Sequence, residues 1–203
     1  MTLEPLSPFG RAVKAPLAGL TILQIAPGAS ARSERASTIV VAEALVEAGA
    51  RALVVSEGEL ASEAQAVGAV HVPFPASSEN PIKMLLNVRR LAGVLAAERV
   101  DLVHARSRAS AWVALGACRK AKRPLVTTIV GEGPARPPRT RFEAAVADGG
   151  LVVVGSDYAA ERAAAVFPSA RARLRIVRPG LDVALLSPLA VSRERVATVR
   201  ERW

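Results

Sequence analysis

The stretch Asp101-Leu-Val-His-Ala-Arg-Ser-Arg108 marks the point at which a buried strand passes into a helix. Val100, Leu102 and Val103 form a short apolar run that predicts a strand, and the apolar positions from 109 to 118 predict a helix. In an open parallel α/β sheet, ligands bind at the edge where strands lead into helices. We therefore expect the polar end of this stretch to lie at a binding edge.

Basic and hydrogen-bonding side chains follow the predicted strand. His104, Arg106, Ser107 and Arg108 provide an imidazole, two guanidiniums and a hydroxyl beside the free amides of a helix N-terminus. Together these groups suit an anionic or sugar-phosphate ligand. The alternative is that the two arginines are solvated surface charges and His104 packs at the strand end. These residues alone do not separate the two interpretations.

Strands and helices alternate along the rest of the chain. Apolar runs predict further strands at 20–26, 51–55, 69–72, 124–130, 151–154 and 174–177. Such alternation predicts an α/β fold with a doubly wound, mostly parallel sheet.

Capping residues predict where several helices begin. Ser33 and Ser156 are each expected to cap a helix, and Asn80-Pro81 combines a capping side chain with proline at the first helical position. A further helix is predicted from about Arg139 to Ala147. The helix after Asn80 is expected to bury one apolar stripe, formed by Leu85, Val88, Ala92 and Leu95.

The usual strand order of a doubly wound sheet brings the first and fourth strands together. The loop after Ala26 would then face the loop after Val103 across one crevice. We therefore predict a site in which residues near the first helix face His104, Arg106 and Ser107; those residues are Gly28, Ser30, Arg32, Ser33 and Glu34.

Composition restricts the partners that the chain can take. The 203 residues carry a formal net charge of +9, and only 3% of them are aromatic. The charge favours anionic partners, and an anionic membrane face or a phosphorylated ligand fits better than nucleic acid, because the basic residues are not interleaved with stacking aromatics. One cysteine and two distant histidines argue against a metal site. Since no apolar leader or long apolar run is present, we expect a cytoplasmic protein, with the inner face of the cell membrane as an alternative location.

Several blocks taken in order resemble a known family. They are Leu23-Gln-Ile-Ala-Pro27, Ser33-Glu34-Arg35, Glu79-Asn80-Pro81, the stretch from Asp101 to Trp112, Gly155-Ser156 and Arg175-Ile-Val-Arg-Pro-Gly-Leu-Asp182. Their order and spacing resemble the N-terminal domain of retaining glycosyltransferases with two Rossmann-like halves, the GT-B architecture, which includes bacterial envelope sugar transferases.

The resemblance implies a division of the chain and a set of roles. It implies a leader at 1–18, one Rossmann-like domain at 19–182, and a hinge with the start of a second half at 183–203. The N-terminal half would bind a sugar or lipid-linked acceptor, while the nucleotide-sugar donor, a substrate rather than a cofactor, would bind mainly in the other half. His104 would be the catalytic residue, and Gly131 and Ser156 would join the acceptor or phosphate site. No cofactor or metal is implied, and a separate C-terminal half is one expected partner.

Two departures from the family pattern affect these roles. Ala31 and Arg32 stand where members commonly carry two glycines, and side chains there would obstruct the approach of backbone amides to a phosphate. Val130-Gly131 stands where members favour His-Gly, which removes an imidazole from the cleft. Ordinary drift and loss of activity both explain these changes.

Two functions therefore remain open at this point. The first is the acceptor side of hexosyl transfer from a nucleotide-sugar, with retention, in envelope polysaccharide or lipopolysaccharide synthesis. The second is a non-catalytic, truncated or degenerate module that binds an anionic glycan or a partner subunit. Nucleic-acid binding has only the net charge in its favour.

Overall fold

A computed structural model describes residues 15–26, 32–75, 80–131, 136–180 and 191–202. Within these ranges, the side chains of residues 32–35, 81 and 202 are not described. The predicted site residues Gly28 and Ser30 therefore lie outside the described part of the chain. So do residues 1–14 of the predicted leader and residues 183–190 of the predicted hinge.

The described residues form seven strands and a helix after most of them. The strands are Thr21–Ile25 (β1), Arg51–Ser56 (β2), Val70–Pro73 (β3), Leu102–Ala105 (β4), Leu125–Ile129 (β5), Leu151–Val154 (β6) and Leu174–Ile176 (β7). The α-helices are Arg32–Glu47 (α1), Ala61–Ala66 (α2), Pro81–Ala97 (α3), Arg108–Ala121 (α4), Arg141–Ala144 (α5), Asp157–Val166 (α6) and Arg193–Arg202 (α7). Two 3-10 turns, Ala145–Ala147 and Pro168–Arg173, follow α5 and α6.

All seven strands lie in one parallel sheet in the order β3-β2-β1-β4-β5-β6-β7. This arrangement confirms the predicted doubly wound, Rossmann-like fold. The chain moves in one direction from β1 to β3 and in the other from β4 to β7, so the order reverses between β1 and β4. That reversal is the topological switch point at which ligands bind in sheets of this kind.

The two faces of the sheet carry different cores. On one face, α1 and α2 pack over β1 to β3 with a small cluster that consists mostly of alanine: Ala26, Ala42, Ala52, Val54, Leu60, Ala64 and Ala69. On the other face, a larger continuous core joins α3, α4 and α6 to the whole width of the sheet. Successive strand residues point to opposite faces, so Leu23 belongs to the larger core while its neighbour Gln24 faces α1.

Caps fix the starts of the helices, mostly as predicted. Asn80 accepts hydrogen bonds from the amides of Ile82 and Lys83, and Ser156 accepts one from the amide of Ala159. The first helix differs, because α1 already begins at Arg32 and includes Ser33 in its first turn. The prediction that Ser33 caps α1 was therefore wrong by at least one residue.

The buried face of α3 was predicted in part, since Val88, Ala92 and Leu95 pack in the larger core as predicted but Leu85 does not. Leu85 is 54% exposed, and Met84, Asn87 and Leu91 are buried together with the predicted Ala92 and Leu95. Apolar residues surround the first two turns of this helix, so spacing alone did not identify the face that meets the sheet. The helix predicted from Arg139 to Ala147 is also shorter than expected, since Thr140 caps α5 and the chain continues as a 3-10 turn.

The last residues of the predicted leader pack against the domain. The amide of Leu17 donates to the carbonyl of Ala48 at 3.0 Å, beside the turn between α1 and β2. The division of the chain into leader, domain and hinge stays a prediction.

Candidate functional site at the carboxyl edge of the sheet

The ends of β1 and β4 lie side by side at the switch point. Gln24 pairs with His104 and Ile25 pairs with Ala105, while His104 pairs with Val126 on its other side. The chain thus leaves the sheet after Ala26 and after Ala105 at the same edge. The two predicted walls of the crevice therefore start from adjacent positions.

Arg106 joins these two walls directly. Its Nη2 donates a hydrogen bond to Oγ of Ser37, in the second turn of α1, across 69 residues of chain. The main chain at the end of β4 is therefore fixed against the helix that contains Arg32, Ser33 and Glu34. The side chains of those three residues are not described, so their part in the crevice stays a prediction.

Ser37 was not among the predicted site residues. It lies four residues after Ser33, and residues four apart lie on the same face of a helix, so the predicted cap and the observed partner share that face. A further polar contact lies nearby, where Nε2 of the fully buried Gln24 donates to the carbonyl of Thr38 at 3.3 Å. The apolar spacing of β1 did not predict this buried polar contact between β1 and α1.

His104 is held by a threonine on the neighbouring strand. Its Nε2 lies 2.7 Å from Oγ1 of Thr128 in β5, and the two side chains share the α1 face of the sheet. Which atom donates depends on the tautomer of the ring. Nδ1 makes no hydrogen bond among the described residues in either tautomer.

The imidazole of His104 is neutral near neutral pH. Burial lowers its pKa from the ordinary 6.5 to about 4, and the positive charge of Arg106 acts in the same direction. A neutral imidazole can donate or accept one hydrogen bond from Nδ1, so it suits a sugar hydroxyl. The fixed guanidinium of Arg106 is the group in this pair that suits an anion.

The hydroxyl of Ser107 already has a structural role at the start of α4. It is the N-cap of α4, and its Oγ accepts from the amide of Ser110 at 3.1 Å, while Ser110 Oγ accepts from the amide of Ser107 at 2.9 Å. This reciprocal pair is a capping box, which satisfies two amides that would otherwise lack partners. A ligand bound through the Ser107 hydroxyl would have to compete with that cap.

The remaining predicted residues line the same edge farther along the sheet. Gly131 follows β5 with a φ of +72°, and no described atom lies within 4 Å of the position that a β-carbon would occupy. Ser156 follows β6 and caps α6, so its hydroxyl has the same structural use as that of Ser107. The roles of all these residues in ligand binding stay predictions.

Two properties of the described residues concern metals and membranes. The described residues contain no group of three or more histidine, cysteine or acidic side chains placed to hold a metal ion. No helix in the described ranges is both long and apolar enough to span a membrane.

A family comparison decides what kind of domain this is. The sequence model described as Glycosyltransferase Family 4 matches residues 36–185, which is well over half of the chain. The chain belongs to glycosyltransferase family 4. The match includes His104, Arg106 and Thr128 but begins after Glu34, so it does not cover the crevice residues from Gly28 to Glu34.

Several solved structures with the same fold are described as glycosyltransferases, and one is described as a putative UDP-N-acetylglucosamine 2-epimerase. A glycosyltransferase from Rickettsia africae ESF-5 superposes with a TM-score of 0.74 at 24% identity, over 90% of this chain and 49% of that one. Anabaena Alr3699/HepE, in complex with UDP and glucose, superposes with a TM-score of 0.67 at 18% identity, over 90% and 50%. The lipopolysaccharide outer core galactosyltransferase WaaB, in its apo form, gives 0.58 at 12% identity, over 81% and 47%.

The family 4 chain spans about half the length of these structures. At such identities the likeness shows the fold alone. No curated protein matches the sequence.

Proposed function

We propose that this glycosyltransferase-type domain is the acceptor-binding half of an enzyme that transfers a hexosyl group from a nucleotide-sugar, with retention, in envelope polysaccharide or lipopolysaccharide synthesis. The observation that carries the proposal is the pair formed by His104 and Arg106 at the switch point, in a chain of glycosyltransferase family 4. The neutral imidazole of His104 suits a sugar hydroxyl, and the guanidinium of Arg106 suits an anion.

Each residue has a specific task in this proposal. His104 is neutral and is oriented by Thr128, so Nδ1 binds a hydroxyl of the acceptor sugar. Arg106 binds a phosphate of the acceptor or the reacting phosphate edge, and Glu34 orients a hydroxyl from α1. In the transfer, the bond from the anomeric carbon to the nucleoside diphosphate breaks and the diphosphate leaves with its electron pair. A bond from the acceptor oxygen forms on the same face of the sugar, and the proton of the acceptor hydroxyl passes to the departing diphosphate.

The solved structures suggest which substrates to test first. The Anabaena protein is described in complex with UDP and glucose, which supports a uridine-diphosphate sugar as the first donor. WaaB is a lipopolysaccharide outer core galactosyltransferase, which supports an envelope acceptor. The donor would bind mainly outside residues 19–182.

Nuclear magnetic resonance titration of the ¹⁵N-labelled chain tests the proposal. Glucose 1-phosphate, the simplest probe with a sugar hydroxyl and a phosphate, should shift the amides of residues 104–107 and of α1. Arg106→Ala should weaken its binding roughly ten- to a hundred-fold, which corresponds to about 1.5–3 kcal/mol for a hydrogen bond to a charged group. The matched control Arg171→Ala removes an exposed arginine in the 3-10 turn after α6 and should change the affinity little.

Three results would contradict the proposal. Equal losses for Arg106→Ala and Arg171→Ala would indicate diffuse charge attraction. If the amide resonances of residues 104–107 do not shift, the proposed site does not bind the sugar phosphate. Binding of UDP-glucose in the low micromolar range, about −8 kcal/mol, would place the donor site in this domain. If the sugar phosphate binds at this edge but the full-length protein transfers no sugar, the non-catalytic binding module is favoured instead.

A further inference from the structure

The outer face of α3 leaves large apolar side chains in solvent. Ile82 is 73% exposed, Leu85 is 54% exposed and Leu86 is 55% exposed. Positions 82, 85 and 86 are three and four residues apart, so these side chains form one patch on the first two turns of the helix. Exposed large apolar side chains are ordinary when scattered, but a contiguous patch indicates an interaction surface.

The orientation of this patch is fixed by the other face of the helix. Met84, Leu91 and Leu95 are buried in the larger core. Nδ2 of the buried Asn87 donates to the carbonyl of Pro75 at 2.7 Å, which ties the helix to the segment after β3. The apolar patch therefore cannot turn inward without loss of these contacts.

The charged side chains that the structure describes on α3 beside the patch are all basic. Lys83, Arg89 and Arg90 are exposed beside it, and α3 contains no acidic residue from Pro81 to Ala97. Helix α4, which packs on α3, also contains no acidic residue, and Arg108 is exposed at its start. Apolar side chains bordered by basic ones are complementary to a surface with an apolar interior and anionic head groups.

We propose that the first turns of α3 dock on an anionic lipid surface. Ile82, Leu85 and Leu86 enter the boundary between head groups and acyl chains, and Lys83, Arg89 and Arg90 bind lipid phosphates. A protein partner of negative charge or a second copy of this chain would need a comparable apolar surface and is distinguished by the tests below.

The position of α3 in the fold determines which edge of the sheet would face the lipid surface. A helix that follows a parallel strand runs back along the sheet, so α3 begins near the carboxyl edge and ends at the start of β4. The docked turns thus lie toward the edge that carries Arg106. This direction rests on the proposed function, since it would present the acceptor site to a lipid-linked acceptor, whereas lipid binding itself is independent of sugar transfer.

Vesicle co-sedimentation with matched variants tests the docking. The wild-type chain should bind vesicles that contain phosphatidylglycerol much more tightly than pure phosphatidylcholine vesicles. Ile82→Ser with Leu86→Ser should lower the partition coefficient roughly tenfold or more, because two apolar side chains no longer leave water. The control Val40→Ser with Val177→Ser changes two side chains of similar exposure elsewhere, on α1 and after β7, and should leave binding unchanged.

Two further experiments measure separately the contribution of the basic side chains and the depth to which the patch enters the bilayer. Lys83→Glu with Arg89→Glu should abolish most binding at low salt, while Arg171→Glu with Arg200→Glu makes the same change of charge away from the patch and should weaken it much less. Brominated lipids should quench the fluorescence of the tryptophan introduced by Leu86→Trp, and they should not quench that of the tryptophan introduced by Val40→Trp. Circular dichroism should show that all these variants fold, since the replaced side chains are exposed.

The proposal is overturned if phosphatidylglycerol vesicles do not bind the chain at low salt, or if both members of a matched pair lose binding equally. It is also overturned if Ile82→Ser with Leu86→Ser converts a dimer into a monomer, because the patch would then be an interface between copies. No sugar enters these assays, so their failure leaves the glucose 1-phosphate titration unaffected.

Discussion

Nε2 of His104 and Oγ1 of Thr128 lie 2.7 Å apart and join two neighbouring strands of the sheet. The threonine therefore positions the imidazole, although 24 residues separate the two in the chain. Next to it in β5, Thr127 faces the larger core, where its buried Oγ1 has no hydrogen-bond partner among the described residues. These adjacent threonines offer a matched pair for mutation.

Thr128→Val should cost about 1 kcal/mol of unfolding free energy, because a hydrogen bond in a partly buried place is lost while the shape is kept. It should also change the balance of His104 tautomers seen in ¹⁵N spectra of the side chain. Thr127→Val should be neutral or stabilising, since it replaces an unpartnered buried hydroxyl with a methyl group. If chemical denaturation shows that Thr128→Val and Thr127→Val lower the free energy of unfolding equally, the hydrogen bond between Thr128 and His104 contributes nothing specific to stability.

The low pKa of His104 predicts acid sensitivity. The unfolded chain takes up a proton near pH 6.5, whereas the folded chain does so only near pH 4. Between these values the unfolded state binds more protons, so the free energy of unfolding falls as the pH falls, by about 3 kcal/mol at most from this group. His104→Gln should flatten this part of the stability profile, measured by urea denaturation across the pH range. Parallel profiles for the two proteins would refute the assignment.

Glycines in two adjacent helices should respond oppositely to alanine. A β-carbon on Gly116 in α4 would lie 2.9 Å from both methyl groups of Val88 in α3, which is too close for normal packing. Gly116→Ala should therefore destabilise the fold by roughly 1–3 kcal/mol, and the additional change Val88→Ala should recover part of the loss caused by the clash. At Gly93 in α3, no described atom lies within 4 Å of the added carbon apart from its chain neighbours and the backbone of the helix itself. Gly93→Ala should therefore stabilise the fold by about 1 kcal/mol from helix propensity. Thermal midpoints of the variants decide the question.

The single cysteine should be inert in the folded protein. Cys118 is buried in α4, and burial raises the pKa of its thiol to about 12. Since the thiolate is the reactive species, Ellman's reagent should modify Cys118 only after unfolding in guanidinium chloride. Rapid modification of the native chain at mildly alkaline pH would mean that α4 opens locally.

Much of the fold followed from local patterns. The alternation of strands and helices predicted the parallel sheet, and the usual strand order of such sheets correctly placed β4 beside β1. Asn80 and Ser156 cap their helices as predicted, because capping depends on a few adjacent residues.

Partners across the sheet could not be predicted in the same way. Ser37 and Thr128 contact Arg106 and His104 because the pairing register brings them close, and register is a property of the assembled sheet. The exposure of Leu85 on α3 was missed for a related reason. Ile82, Leu85 and Leu86 are as apolar as Met84 and Leu91, so the choice between the two faces is made by the shape of the core.

The unequal cores on the two faces of the sheet have a consequence for local unfolding. Among the described residues, the cluster beneath α1 and α2 has seven buried members, mostly alanine, and a few partly buried aliphatic side chains pack against it. Separating these helices from β1 to β3 therefore exposes less apolar area than opening the larger core on the other face. We expect the amides of α1 to exchange with solvent through such local openings, well before those of α3 and α4. Because Ser37 of α1 accepts a hydrogen bond from Arg106, each opening would also break that bond. A phosphate that binds only the closed arrangement of α1 and Arg106 would therefore slow the exchange of the α1 amides.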